Sequence, residues 1–241
     1  MITLNSAMVM AAGLGTRMRP LTEATPKPLL KLAGRSLLDH ALDRIGDAGI
    51  GNTVVNAHWF PEQVEAACTA RSRPPVVVRE EDVLETGGGV RNALPHLGDA
   101  PFLVANGDAF WLDGPRSAIA RLAERFDPEQ MDALLLVMRV ASVEGEVGRG
   151  DFRMDPMGRL LRPREREIVP YVYAGVQIVH PRLFADAPEG RFSTNILWDR
   201  AIEAERLYGL VHDGVWFHLS TPADLRKAEA LLAHNLVKPL F

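Results

Sequence analysis

Residues 8–34 have the sequence MVMAAGLGTRMRPLTEATPKPLLKLAG. The apolar run at 7–11 predicts a buried strand, because short apolar runs that end at glycines are typical of parallel sheets. A turn after that strand would need only the two glycines, yet two arginines follow them and Lys27 stands between Pro26 and Pro28. Fixed positive charge directly after a strand predicts a binding site for a strongly negative group.

The residues of this loop suit phosphate groups in particular. Gly13 and Gly15 allow close backbone approach and positive φ, so that several N–H groups can face phosphate oxygens. Thr16 adds a hydroxyl group, Arg17 can contact a phosphate with two N–H groups, and Lys27 can neutralise a second anion. For the GxG fragment alone, an ordinary glycine-rich turn with surface arginines is the more frequent case. The pattern is neither the dinucleotide fingerprint nor the Walker loop.

Apolar runs and helical patterns alternate along the chain. We expect strands at 7–11, 53–57, 76–79, 101–105 and 132–140, and helices at 36–48, 61–71, 90–94 and 114–126. The second half adds a hairpin that turns at 155–158, strands at 171–180, 207–212 and 215–219, and helices at 194–205 and 221–235. This order predicts an α/β fold, a mostly parallel mixed sheet with helices on both faces, in a single domain over 1–241.

Composition and charge exclude several classes of protein. The 241 residues carry a net charge of −4 without a basic tail, which argues against a nucleic-acid partner. The N-terminus lacks the basic region of a signal peptide, and no apolar stretch is long enough for a bilayer, so we expect a cytoplasmic protein without a membrane partner. The single cysteine, Cys68, is expected to be a small buried residue. The oligomeric state stays open.

Three unusual segments follow predicted strands. They are the glycine- and arginine-rich loop described above, LETGGGVRNALP at 84–95, and the tripeptide NGD at 106–108. In an open parallel sheet, the carboxyl ends of the strands meet at one edge, and ligands bind there. We therefore expect the three segments to form one site.

The complete string GLGTRMRPLTEATPKPLLKLAG closely resembles the signature of the sugar-1-phosphate nucleotidyltransferases, GxGTRxRPLT followed by PKP. The resemblance covers nearly the whole chain. LETGGGV is similar to the family's second glycine-rich loop, NGD to its metal-binding tripeptide, and YAGVQIV at 173–179 to its sugar-side strand. It implies a Rossmann-like, glycosyltransferase-A-like fold with a nucleotide-binding half at 1–130 and a sugar-binding half at 131–241.

The resemblance also implies a reaction, in which an NTP and a sugar 1-phosphate give an NDP-sugar and pyrophosphate. Positioning and charge stabilisation dominate such phosphoryl chemistry, and Mg²⁺ is the expected cofactor. Asn56 and His58 resemble an NxH segment of the short bacterial uridylyltransferases that act on N-acetylmuramic acid 1-phosphate. This branch favours UTP and a role in peptidoglycan recycling. The alternatives are a mannose-1-phosphate guanylyltransferase and a non-catalytic regulatory module that binds a nucleotide or a sugar phosphate.

The same resemblance implies roles for individual residues. The expected catalytic residues are Arg17, Lys27 and Asp108, with Asp108 as metal ligand. The residues expected at the nucleotide are Ala11, Ala12, Gly13, Gly15, Thr16, Arg17, Gly87 and Gly88. Those expected at the sugar phosphate are Lys27, Asn106, Gly175 and Asn195.

Several of these positions have a second interpretation. Asp108 also fits a turn after NG, and Asn195 also fits a local helix cap. Glu85 fits either a contact to ribose or a cap of the following helix. For Arg19 and Lys31 we favour simple solvent exposure.

One position departs from the family's pattern. His218, in WFHLSTP, stands where the family usually has a second metal-binding aspartate, and Ser220 replaces a glycine. Imidazole is a softer ligand than carboxylate and suits magnesium poorly. Three hypotheses follow: His218 contacts a metal-bound water or a phosphate oxygen, it ligates a different metal directly, or it only packs beside Trp216.

Overall fold

The computed structural model of the chain describes residues 1–143 and 147–234. Its strands are β1 (Ser6–Met10), β2 (Lys31–Leu32), β3 (Arg35–Ser36), β4 (Asn52–Ala57), β5 (Val76–Arg79), β6 (Phe102–Asn106), β7 (Phe110–Leu112), β8 (Ala133–Arg139), β9 (Arg153–Met154), β10 (Leu160–Leu161), β11 (Tyr171–Val179), β12 (Leu207–Val211) and β13 (Val215–Phe217). Its α-helices are α1 (Leu37–Asp47), α2 (Pro61–Thr69), α3 (Glu85–Leu97), α4 (Ala118–Arg125), α5 (Asn195–Glu203) and α6 (Pro222–Ala233).

Seven of these strands form one mixed sheet in the order β12-β8-β11-β6-β1-β4-β5. Within it, β11 runs antiparallel to its neighbours β6 and β8, and the other pairs are parallel. The predicted mostly parallel mixed sheet is therefore confirmed. Met10 lies opposite both Asn56 and Asn106 in the register, so β1, β4 and β6 end at the same edge.

Helices cover both faces of the sheet, as predicted. Alternate residues of β1 separate the two apolar cores, because successive side chains of a strand point to opposite faces. Val9 belongs to one core together with Leu38 of α1 and Ile119 of α4. Met8 belongs to the other core, together with Val90 of α3. The sheet is thus buried on both sides, which explains the continuous apolar runs in its strands.

A small two-stranded ribbon was not predicted. Strands are present in both segments expected at 207–212 and 215–219, but β12 joins the main sheet beside β8, whereas β13 pairs with β7. β7 has only three residues, too few for a periodic pattern to show. Phe110 of β7 and Phe217 of β13 belong to a third apolar cluster that also contains Met18. This cluster supports the first glycine-rich loop.

Helix α3 is longer than the helix predicted at 90–94. Three consecutive glycines weaken a helix, and the sequence predicts a loop for LETGGG. In the structure, α3 begins at Glu85 and includes these glycines. Close packing favours this outcome: a Cβ at Gly87 would lie 2.3 Å from the Phe192 ring, and one at Gly88 would lie 2.2 Å from the Gly190 carbonyl oxygen.

Capping side chains lie at the start of two helices. Ser36 accepts a hydrogen bond from the N–H of Asp39 at the start of α1. Thr221 and Asp224 form a capping box at the start of α6. The predicted end of this last helix, at Asn235, lies outside the described residues.

Three smaller predictions can be compared with the structure. The hairpin predicted to turn at 155–158 is present as β9 and β10. The helix predicted at 114–126 begins later, at Ala118, after its cap Ser117. Cys68 is buried, and burial raises the pKa of its thiol to about 11. Across residues 1–143 and 147–234, no helix is long and apolar enough to cross a bilayer.

Candidate active site

Two cavities lie at the edge where β1, β4 and β6 end. The first cavity has a volume of about 330 Å³ and the second of about 440 Å³. The first is lined by residues of the β1 loop, the ends of β4, β5 and β6, and the start of α3. The second is lined by the start of β11, by 147–151 and by 216–220. The side chains common to both cavities are Arg17, Lys27, Asn106, Asp108 and Ser220.

The first loop lines the first cavity with most of its predicted residues. Ala12, Gly13, Gly15, Thr16 and Arg17 all contribute to the cavity wall. The Arg17 side chain has no ion-pair or hydrogen-bond partner among the described residues. An exposed, unpaired guanidinium group at the border of two cavities is available for an anionic ligand.

Gly15 brings the loop close to Lys27. Its φ is +60°, in the left-handed region that favours glycine. A Cβ at this position would lie 3.0 Å from the side chains of both Lys27 and Thr22. Thr22 donates a hydrogen bond to the Gly15 carbonyl oxygen, at 2.8 Å. The second glycine of the motif therefore places the lysine against the backbone of the loop.

Lys27 forms an ion pair with Asp108 of the NGD turn. The distance from Lys27 Nζ to Asp108 Oδ2 is 2.5 Å, and both side chains are largely shielded from solvent. Gly107 holds this turn against β1, because its N–H donates to the Met10 carbonyl oxygen at 2.8 Å. Two of the three expected catalytic residues thus lie in direct contact, although 81 positions separate them in the chain.

A buried polar network at the end of β4 was missed by the sequence analysis. Asn56 Oδ1 accepts from the Ala11 N–H at 2.7 Å, and Asn56 Nδ2 donates to Glu80 Oε1 at 2.6 Å. Glu80 is only 6% exposed, and it lines the first cavity beside Asn56. Ala11, which was expected at the nucleotide, does not line the cavity, and its N–H donates to Asn56 instead. A charged residue directly after a short strand was the available signal for Glu80.

Gly87 and Gly88 are used for packing. The N–H groups of both residues donate to the Phe192 carbonyl oxygen, at 2.9 and 3.1 Å. Neither residue lines the first cavity, whereas Glu85 and Thr86 of the same segment do. These glycines therefore pack against Phe192, whereas the family resemblance implies that they approach a nucleobase.

Gly175 lies where β11 meets the NGD turn. Its φ is +82°, and a Cβ would lie 3.0 Å from Ala109 and 3.2 Å from Asn106 Nδ2. Gly175 and Asn106 both line the second cavity, as the sugar-side prediction requires. The Asn106 side-chain oxygen is buried and has no hydrogen-bond partner among the described residues.

His218 lines the second cavity near the charged residues. Its ring centroid lies 5.5 Å from that of Trp216, in a tilted arrangement. Burial lowers the pKa of His218; nearby Asp224 opposes this shift, and the positive charges of Arg17 and Lys27 reinforce it. The imidazole is therefore neutral at pH 7, beside two cations and Asp108.

Four other residues considered from the sequence lie away from both cavities. Asn195 is the first residue of α5, and its side-chain oxygen accepts from Arg162 at 2.9 Å. The structure thus does not bring Asn195 to the sugar side. His58 contacts the Glu80 carbonyl oxygen at 3.0 Å. Arg19 and Lys31 are exposed, as favoured above.

The oxygen atoms at the NGD turn suit a hard cation. No cluster of three or more metal-ligating His, Cys, Asp or Glu side chains occurs in the described parts of the chain. Asp108 nevertheless offers a carboxylate, and Asn106 offers a buried amide oxygen without a protein partner. Magnesium typically takes one or two carboxylates and completes its ligands with phosphate and water oxygens. The donor set therefore fits magnesium held jointly with a phosphate ligand.

Comparison with known proteins identifies relatives of the whole chain. Residues 7–185 match the family model of the MobA-like NTP transferase domain. The chain is 42% identical to the N-acetylmuramate alpha-1-phosphate uridylyltransferase of Caulobacter vibrioides, over 94% of this chain and 96% of that protein. It is 35% identical to the protein of the same name from Neisseria meningitidis serogroup B, over 93% and 97%.

A guanylyltransferase is also similar to this chain. The mannose-1-phosphate guanylyltransferase of Mycobacterium tuberculosis is 30% identical over 95% of this chain but only 65% of its own length. Among solved structures, UDP-glucose pyrophosphorylase complexed with UDP-glucose superposes with a TM-score of 0.81 at 16% identity, over 97% of this chain and 100% of that one. The last similarity concerns the fold.

Proposed function

Since the chain belongs to the MobA-like NTP transferase family, we propose that it joins UTP to N-acetylmuramic acid α-1-phosphate, giving UDP-N-acetylmuramic acid and pyrophosphate. The prediction of a nucleotidyltransferase is confirmed by the family. Two similar uridylyltransferases of matching length support the choice of substrates. The observation that carries the proposal is the sharing of Arg17, Lys27 and Asp108 by both cavities.

The shared residues suit a direct transfer between two phosphate ligands. In the proposed step, an oxygen of the sugar phosphate attacks the α-phosphorus of UTP, and the bond to the bridging oxygen of the β-phosphate breaks. Pyrophosphate leaves with that electron pair, so no protein nucleophile is needed. Arg17 and Lys27 offset the repulsion between the two anions and stabilise the charge that develops at phosphorus. We place the nucleotide in the first cavity and the sugar in the second.

Asp108 and Asn106 are the residues that would hold magnesium. When bound, the cation supplies charge neutralisation for the phosphate oxygens. Lys27 Nζ lies 2.5 Å from Asp108 Oδ2. In the proposed complex, Lys27 therefore exchanges part of this ion pair for a phosphate oxygen. His218, which is neutral beside both cations, is assigned a contact to a water molecule or a phosphate oxygen.

Glu80 favours uracil or guanine over cytosine as the base. A carboxylate accepts hydrogen bonds, so a base that presents a ring N–H is favoured over one that presents a ring acceptor. Uracil has such an N–H at N3, whereas cytosine has an acceptor there. Guanine also has a ring N–H, and therefore Glu80 alone does not separate UTP from GTP. The closer similarity to the uridylyltransferases supports UTP.

The proposal extends to the setting of the reaction. N-acetylmuramic acid is a cell-wall sugar, and its activated form would serve peptidoglycan recycling. UTP is an intracellular metabolite, so we place the protein in the cytoplasm. The chain would act as one domain over 1–241, with the nucleotide side in the first half and the sugar side in the second.

A substrate panel tests the proposal. Purified protein with Mg²⁺ is incubated with each of UTP, GTP, CTP and dTTP and with N-acetylmuramic acid, N-acetylglucosamine or mannose 1-phosphate, and pyrophosphate release is measured. We expect the highest kcat/KM for UTP with N-acetylmuramic acid 1-phosphate. A preference for GTP and mannose 1-phosphate would refute this assignment in favour of a guanylyltransferase. Binding of nucleotide without turnover on any pair would indicate a regulatory module.

A further inference from the structure

The second cavity contains a carboxylate that the sequence analysis did not single out. Asp151 lines this cavity together with Gly175, Trp216 and His218. It lies between β8 and β9, in the segment that leads into the hairpin. Nothing in the proposed phosphoryl transfer uses it, because the transfer occurs at the border of the two cavities.

Backbone contacts fix the position of Asp151. Its N–H donates to the Tyr171 carbonyl oxygen at 2.7 Å, and its Oδ2 accepts from the Tyr173 N–H at 2.8 Å. Gly150, the preceding residue, has φ +78°, and a Cβ there would lie 2.4 Å from the Val169 carbonyl oxygen. Strand β11 and a glycine that accepts no larger residue therefore hold the carboxylate at the cavity wall.

The carboxylate of Asp151 lacks a cationic partner. No Lys, Arg or His among residues 1–143 and 147–234 forms an ion pair with it. Oδ2 has one hydrogen bond, to a backbone N–H, and Oδ1 has none from the described residues. A fixed, partly buried carboxylate without a cation has strong unused capacity to accept hydrogen bonds.

Three other residues that line the same cavity also have a polar side-chain atom without a partner. Asn106 Oδ1, the Tyr173 hydroxyl oxygen and Trp216 Nε1 are buried and have no hydrogen-bond partner in the described part of the chain. Buried polar atoms without partners are rare in native proteins. These atoms lie behind the cavity surface, whereas Asp151 is only half-buried, so its carboxylate is the acceptor that a ligand in the cavity can reach. A ligand with hydroxyl groups complements such an acceptor.

We infer that Asp151 is a specificity-determining residue that accepts hydrogen bonds from hydroxyl groups of the sugar 1-phosphate. The inference rests on the proposed function and names the residue that recognises the sugar in place of Asn195. It also restricts the orientation of the substrate. The carboxylate of an N-acetylmuramic acid would be repelled by Asp151, so its free hydroxyl groups at C4 and C6 lie toward Asp151 and its lactyl group away from it.

The substitution Asp151→Asn tests this assignment. Asparagine keeps an oxygen for the Tyr173 N–H, so the backbone contact can persist while the charge is lost. We expect kcat/KM for the sugar 1-phosphate to fall roughly 10- to 100-fold, the size of one hydrogen bond to a charged group. The KM for UTP should stay unchanged. Asp199→Asn is the matched control, because Asp199 is exposed on α5 and pairs with Arg162 away from both cavities.

Deoxy-sugar substrates distinguish recognition from a structural role. With the 4-deoxy or the 6-deoxy analogue of the sugar 1-phosphate, wild type should lose as much kcat/KM as Asp151→Asn does, and the variant should lose little more. Wild-type kinetics in Asp151→Asn, or an equal further loss on every analogue, would overturn the inference. A wild-type protein that is inactive on the whole panel would instead refute the proposed function.

Discussion

Replacing Gly88 with alanine should destabilise the protein although alanine favours helices. Gly88 lies in α3, where its Cβ would meet the Gly190 carbonyl oxygen at 2.2 Å, and real Cβ contacts are essentially never shorter than 3.0 Å. The Gly190 backbone must therefore move. Because the hydrogen bonds from Gly87 and Gly88 reach the nearby Phe192 carbonyl oxygen, this movement disturbs them as well.

The size of the effect follows from these contacts. Overpacking of this kind costs about 1–3 kcal/mol. Loss of the two hydrogen bonds to Phe192 costs about 1 kcal/mol each, and the helix propensity of alanine returns about 1 kcal/mol. We expect Gly88→Ala to lower the free energy of unfolding by roughly 2–4 kcal/mol. The corresponding fall in Tm is roughly 5–15 °C for a chain of this size.

Urea denaturation measures the change, with Gly46→Ala as the matched control. Gly46 also lies in a helix, α1, but nothing lies within 4 Å of its Cβ position. Gly46→Ala should therefore raise the free energy of unfolding by about 0.5–1 kcal/mol. Nucleotide binding should weaken only in Gly88→Ala, because Glu85 and Thr86 of the same helix line the first cavity. Equal stability of the two variants would refute the packing argument.

Three further predictions concern the charged residues of the site. Arg17→Ala should lower kcat at least about 100-fold, because it removes a charge-assisted donor at the transferred phosphate, while Tm stays near wild type. The same loss of kcat is expected for Lys27→Ala. A near-normal rate in either variant would contradict the role assigned to that residue. Asp108→Asn should abolish turnover, whereas His218→Ala should reduce it much less and His218→Asp should keep or improve magnesium dependence. Turnover is measured with different metal ions. Equal and total loss of turnover in Asp108→Asn and His218→Ala would exclude an outer contact for His218. Glu80→Gln should raise kcat/KM for CTP relative to UTP by roughly 10-fold or more, because an amide can also donate to a ring acceptor. An unchanged ratio of the two kcat/KM values would contradict a contact between Glu80 and the base.

Most of the fold could be predicted because the pattern of the first half is regular. The apolar runs of β1, β4 and β6 alternate with amphipathic helices, and buried parallel strands produce that pattern. Strand β7 could not be predicted, because three residues contain no period. The predicted start of α3 was wrong for another reason. Helix propensity is a local property, whereas Gly87 and Gly88 bond to Phe192, more than 100 positions away in the chain.

The part of the candidate site whose residues all belong to one sequence motif could be predicted. The string from Gly13 to Lys27 forms a continuous loop, so its residues stay together in the structure. Glu80 and Asp151 were missed because each depends on contacts between distant segments. Asn195 shows the opposite error: its position at the start of a helix resembled a site, but its amide contacts Arg162 instead. A sequence does not show which polar group is already paired.

The direction of β11 has a consequence for how sugar preference could change during evolution. Because β11 is antiparallel to β6, its first residues lie at the carboxyl edge of the parallel strands, and the segment that precedes it reaches the second cavity directly. Residues 148–170 belong to the connection between β8 and β11, and they include Asp151 and the β9–β10 hairpin. Insertions and substitutions there would alter the second cavity, where we propose that the sugar binds, without moving β1 or β4, which end at the first cavity. Selection for a new sugar and retention of the old nucleotide can therefore act on separate stretches of one gene.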